Sequence, residues 1–132
     1  MEMSKKRLKE HTGSGEPQSA PDGWPEALNL LSQRWTVEYC NYVDKDENLL
    51  GSSTAMDREI RIDATQNLEV MKETLLHEIA HSYFSMFPGD FNLLRGLDKE
   101  ELEEMLAQCF AVFFMDLTRN CPQRFWERDE EE

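Results

Sequence analysis

The run Leu68-Glu69-Val70-Met71-Lys72-Glu73-Thr74-Leu75-Leu76-His77-Glu78-Ile79-Ala80-His81-Ser82-Tyr83-Phe84-Ser85-Met86-Phe87 decides the reading of the chain. Met71, Leu75, Leu76, Ile79, Ala80, Tyr83 and Phe84 recur in it at helical spacing, and Pro88-Gly89 follows as a stop. Such a stripe predicts an amphipathic helix from about Leu68 to Phe87. Downstream, Asp90 to Leu97 reads as a loop, and Asp98 is a good N-cap with acidic residues in the turn after it. The helix beginning there carries Leu102, Leu106, Cys109, Phe110, Phe113 and Leu117 as a wide apolar face and ends at Asn120 to Pro122. Cys109 and the run Phe110, Phe113, Phe114 are expected in the core.

Upstream, Trp35 to Val43 alternates Trp35, Val37 and Tyr39 with Thr36, Glu38 and Cys40, the period of a half-buried strand. Asp44-Lys45-Asp46-Glu47-Asn48 breaks it. Arg58 to Asp63 alternates charged and branched residues, as an edge or half-exposed strand would. Pro25 with Ala27, Leu28, Leu30, Leu31 and Trp35 has helical spacing and predicts a short helix. The fold class expected is therefore α+β, a small, mostly antiparallel sheet of two or three strands packed on the His77 helix and the helix that follows it. Residues 23–126 form the single domain. Residues 1–22, with Lys5-Lys6-Arg7, Gly13-Ser14-Gly15, Pro17 and Pro21, read as a disordered tail, and 127–132 as an acidic frayed one.

Composition narrows the function. A chain of 132 residues with 39% hydrophobic content can build one modest core. Its 27 acidic against 14 basic residues give a net charge of -13, which would repel a nucleic-acid backbone, so no nucleic-acid partner is expected. Cys40, Cys109 and Cys121 are odd in number and widely spaced, which argues against a disulfide framework. No apolar run is long enough to span a bilayer, and the N-terminus lacks a secretory pattern. A cytoplasmic protein with no membrane partner is the expectation.

The chemistry lies in His77-Glu78-Ile79-Ala80-His81. Histidines four apart project from one helix face, a turn apart, and can reach a single ion. Glu78, about 100° around the helix from His77, stands beside the ion's open position, free to take a proton from water. This is the H-E-x-x-H arrangement of zinc-assisted hydrolysis. A catalytic zinc needs a third protein ligand. His11, the one other histidine, falls in the tail, so a carboxylate is required. Glu100, Glu101, Glu103 and Glu104 open the next helix, where all but Glu103 share roughly one face; Asp90 and Asp98 are further candidates. Arg95 and Tyr83 have the chemistry to polarise a carbonyl but receive no role.

Thr74-Leu75-Leu76-His77-Glu78-Ile79-Ala80-His81, followed by Glu104-Met105-Leu106-Ala107-Gln108-Cys109-Phe110-Ala111, resembles the compact metallopeptidases typified by the ImmA/IrrE-like proteins and their phage-encoded relatives. Those carry H-E-x-x-H and later E-x-x-A-[ND]-x-F-A. The resemblance covers roughly residues 35–117 and implies a minimal zincin-like fold of the glutamate-zincin group. It implies Zn2+ held by His77, His81 and Glu104, with Glu78 as general base. Gln108 stands where the family has the Asn or Asp that buttresses a metal-bound histidine, and its longer side chain can still accept an imidazole N–H. The function implied is hydrolysis of peptide bonds in a protein or peptide substrate. A non-catalytic, metal-stabilised binding protein and a hydrolase of another amide bond are the alternatives. The strand near Arg58 to Asp63 is the expected open edge for an extended substrate.

Overall fold

Trp35, Val37 and Tyr39 alternate inward along strand β3 (Gln33–Asn41), and the rest of the sheet is assembled around that strand. The computed structural model describes residues 16–41, 49–86 and 95–127. Strands β1 (Glu16–Pro17) and β2 (Ala27–Leu30) pair antiparallel with the two ends of β3, Pro17 opposite Cys40 and Leu28 opposite Trp35. On its other side β3 pairs in parallel with β5 (Glu59–Asp63), Val37 opposite Ile60. Strand β4 (Gly51–Thr54) then runs antiparallel on the far side of β5, Ser53 opposite Ile60. The α+β class and the mostly antiparallel sheet are as expected. Among the described residues the sheet has five strands, however, where two or three were expected, and one of its pairings is parallel.

Three further expectations are corrected. The short helix after Pro25 is strand β2, in which Leu28 and Leu30 are buried and Asn29 is exposed. The reason is the hairpin that joins it to β3: Leu31 and Ser32 both have positive φ, 50° and 68°, and Leu30 pairs with Gln33. A two-residue turn of that kind carries the twist that paired strands need. Second, the tail does not extend to residue 22. Glu16–Pro17 is a strand, Gln18 N–H donates to the Tyr39 carbonyl, and Trp24 packs edge-on against Phe125. Residues 1–15 and 128–132 lie outside the described residues, as do the Asp44–Asn48 break and Pro88-Gly89. Third, the open edge is not the strand at Arg58 to Asp63: β5 is paired on both sides, and β4 is the last strand of the sheet among the described residues.

Helix α1 (Leu68–Ser85) follows β5 through a buried Asp63, whose carboxylate accepts from the Thr65 amide and hydroxyl. Asn67 caps it, accepting from Val70 N–H at 2.9 Å. Met71, Leu75, Ile79 and Tyr83, spaced by four, form its buried face against β4 and β5. Helix α2 (Lys99–Asn120) begins at Asp98 with a capping box: Glu101 N–H donates to Asp98 Oδ1 at 2.7 Å, and Asp98 N–H to Glu101 Oε1 at 3.0 Å. A short helix α3 (Gln123–Trp126) puts Phe125 into the core beside Trp24.

The C-terminal half of α2 is held by Asp116. Its Oδ2 accepts from the Tyr83 hydroxyl at 2.7 Å and from Leu31 N–H at 2.9 Å, while Phe113 stacks on the Tyr83 ring. Only Leu117 of this helix is buried, and the expected core residues Phe110 and Phe114 are 67% and 46% exposed. They stack on each other, since the helix meets the body through Phe113, Asp116 and Leu117, toward its C-terminal end, and Phe110 lies nearly two turns before Leu117 on the same face. Among the described residues no helix is long and apolar enough to cross a membrane.

None of the three cysteines is in a disulfide. Burial pushes Cys40 up to about 11 and Cys121 up to about 12, so neither forms a thiolate near neutrality, whereas Cys109 is only half-buried. Native protein treated with a thiol reagent should therefore label at Cys109 first, with Cys40 and Cys121 reacting on unfolding. Mass spectrometry of the labelled peptides reads the order, and fast native labelling of Cys40 would show that β3 is not buried as described.

Candidate metal centre

The site starts from the step of the helix. His77 and His81 are one turn apart on the exposed side of α1, and their Nε2 atoms lie 3.2 Å from each other with ring centroids at 4.8 Å. One ring N–H can donate to the other nitrogen at that distance. The same separation suits metal capture: two imidazoles at about 2.0–2.1 Å from a tetrahedral zinc stand about 3.3 Å apart. The separation of the two nitrogens is thus that of two ligands on one tetrahedral zinc.

Glu78 lies between this exposed pair and the buried face, 9% exposed. Burial pushes its carboxyl above the usual carboxylate range, against the pull of the His77 and His81 imidazoles. Strand β4 covers it: a Cβ at Gly51 would come within 3.2 Å of Glu78 Cγ. The helix is tied to the same strand by Ser82, fully buried, whose hydroxyl donates to the Glu78 carbonyl and shares a 2.9 Å bond with Ser53 Oγ. The glutamate is therefore held against β4, the last strand of the sheet among the described residues, with the two histidines on the exposed side of the same helix.

Helix α2 does not complete that cluster. Glu104 and Gln108 are exposed on its N-terminal half, where with Leu97, Glu100, Glu101 and Met105 they line an open cavity of about 550 Å³. Among the described residues no group of three histidine, cysteine or acidic side chains stands close enough to hold a metal ion. Two competitors for the third position are otherwise engaged, since Asp98 and Glu101 are the two halves of the capping box. Asp90 and His11 lie outside the described residues. Tyr83 is 1% exposed with its hydroxyl on Asp116, so it is a core residue. Arg95 is exposed.

Gly51 packs on the Glu78 stem, and Ser82, bonded in turn to Ser53, donates to the Glu78 carbonyl; no motif in the sequence marks any of the three. Ser82 was within reach of a sequence reading, being four residues after Glu78 on the same helix; Gly51 and Ser53 come to the site only through strand pairing. The chain matches no family model, no curated protein and no solved structure. The functional reading therefore rests on the residues themselves.

Proposed function

We propose that this chain is a zinc-dependent peptidase acting at the β4 edge. The observation that carries the reading is the His77–His81 pair, with its nitrogens at the spacing of two zinc ligands, beside a buried glutamate. Its likeness in motif to the ImmA/IrrE-like metallopeptidases supports it, and supplies Glu104 as third ligand and Gln108 as the buttress of a histidine. His77 and His81, with Glu104 as third ligand, would hold the zinc ion, which would supply a Lewis acid for a carbonyl and for water. Glu78 accepts the proton as water attacks the peptide carbonyl and returns it to the leaving amine. Ser53 and Ser82 hold the helix against β4, whose outer edge carries no partner strand among the described residues. An extended peptide would add to that edge through main-chain hydrogen bonds.

Elemental analysis of gently purified protein tests the reading, with one zinc per chain expected. Protein that neither retains zinc nor takes it up on titration would sink it, while zinc without turnover of any peptide substrate would leave a metal-stabilised binding protein. The third ligand is tested separately. Glu104→Ala should strip the metal, whereas Ala at Glu100, Glu101 or Glu103 should change affinity little, because exposed charges contribute only a screened field. Gln108→Ala should weaken binding by about tenfold to a hundredfold. Full zinc affinity in Glu104→Ala would remove that residue from the ligand set.

A further inference from the structure

Gly51 does not have a left-handed φ, so nothing in its backbone conformation calls for glycine. Close approach does. A Cβ built there would meet Thr74 Cγ2 at 2.7 Å, the Arg61 carbonyl oxygen at 3.2 Å and Glu78 Cγ at 3.2 Å. Two of these three neighbours are side chains of α1, and one is the stem of the buried glutamate. The Ser53–Ser82 bond ties the strand to the helix two residues further along β4, so retreat of the strand would cost that bond.

From this packing we infer that Gly51 is a positioning residue for Glu78. The bare backbone of β4 forms the wall against which the glutamate stem rests, and that wall sets the direction of the carboxylate relative to the two imidazoles. A side chain at this position must push Glu78 by a few tenths of an ångström or lift the strand. The inference rests on the peptidase reading for its consequence in turnover, but the contact itself is independent of that reading.

The test uses the full chain. Because Gly51→Ala also collides with Thr74, the variants are made in a Thr74→Ser background, which removes Cγ2 and leaves Glu78 as the side chain in the way. A double-mutant cycle with Gly51→Ala and Glu78→Ala, read by thermal unfolding of the metal-free protein, should be non-additive. The loss of Tm caused by Gly51→Ala should be clearly smaller once Glu78 is trimmed, as for residues in contact. In zinc-loaded protein, Gly51→Ala/Thr74→Ser should lower kcat by about tenfold to a hundredfold, with KM and zinc content unchanged, as for a displaced catalytic group. An additive cycle, or an unchanged kcat in an active variant, overturns the inference. If the wild-type chain turns over no peptide, the peptidase reading falls while the cycle still decides whether Gly51 sets the placement of Glu78.

Discussion

His77→Ala and His81→Ala are each expected to cost the protein its zinc while leaving the metal-free fold intact. Structural zinc sites gain on the order of 10–16 kcal/mol from about four donors, so one donor accounts for roughly 3 kcal/mol, or about a hundredfold in affinity. With few protein donors, that loss takes the metal below what purification retains. The apo fold should survive because both histidines are exposed and, among the described residues, their ring contact is with each other. Comparing Tm with and without zinc separates the two effects: wild-type protein should be stabilised by zinc, and either variant should match apo wild type with zinc present. An apo variant that unfolds well below apo wild type would make the pair structural instead.

The second large effect is on turnover. Glu78→Gln keeps the shape of the side chain and its contact with Gly51, and removes only the ability to take a proton. Zinc content should be unchanged and kcat should fall by about a hundredfold to ten-thousandfold, the range of general acid–base catalysis. The direction of the stability change is also expected. Burial raises the carboxyl's pKa, so the folded state disfavours its charged form, and the stability this group contributes is full below its unfolded pKa and is lost as pH rises from there through the raised folded pKa. Replacing it by a neutral amide should therefore leave the Tm of the metal-free protein unchanged or higher at pH 7. Loss of zinc in Glu78→Gln would make Glu78 a ligand and reverse its role; a fully active variant would assign the proton transfer elsewhere.

Glu104 marks the boundary between motif and geometry. Its match to E-x-x-A-Q-x-F-A is a property of spacing along one helix, and α2 does run through that stretch from a capped start at Asp98. Reaching the histidines requires a particular approach of α2 to α1. Among the described residues, Tyr83 to Asp116, Tyr83 to Phe113 and Phe84 to Phe113 join the two helices, toward their C-terminal ends. The same arrangement explains why Phe110 and Phe114, apolar and correctly spaced, are exposed rather than buried.

What the sequence by itself determined was local: helix α1 with its histidines a turn apart, the start of α2 at Asp98, and the strands at Trp35 and Ile60. In each case a period of 3.6 or 2, or a capping side chain, acts between residues close in the chain. Only the tertiary structure decided the rest. Ala27 to Leu31 satisfies both periods over so short a run, and the hairpin turn at Leu31-Ser32 makes it a strand by giving it Trp35 and Gln33 to pair with. The parallel pairing of β3 with β5 and the position of β4 at the edge depend on partners many residues away. Gly51 shows the same division at one residue. In sequence it is a breaker after an acidic run, and in the fold its missing side chain is the space that Thr74 and Glu78 occupy, because strand pairing brings it onto a helix some twenty-five residues further along the chain.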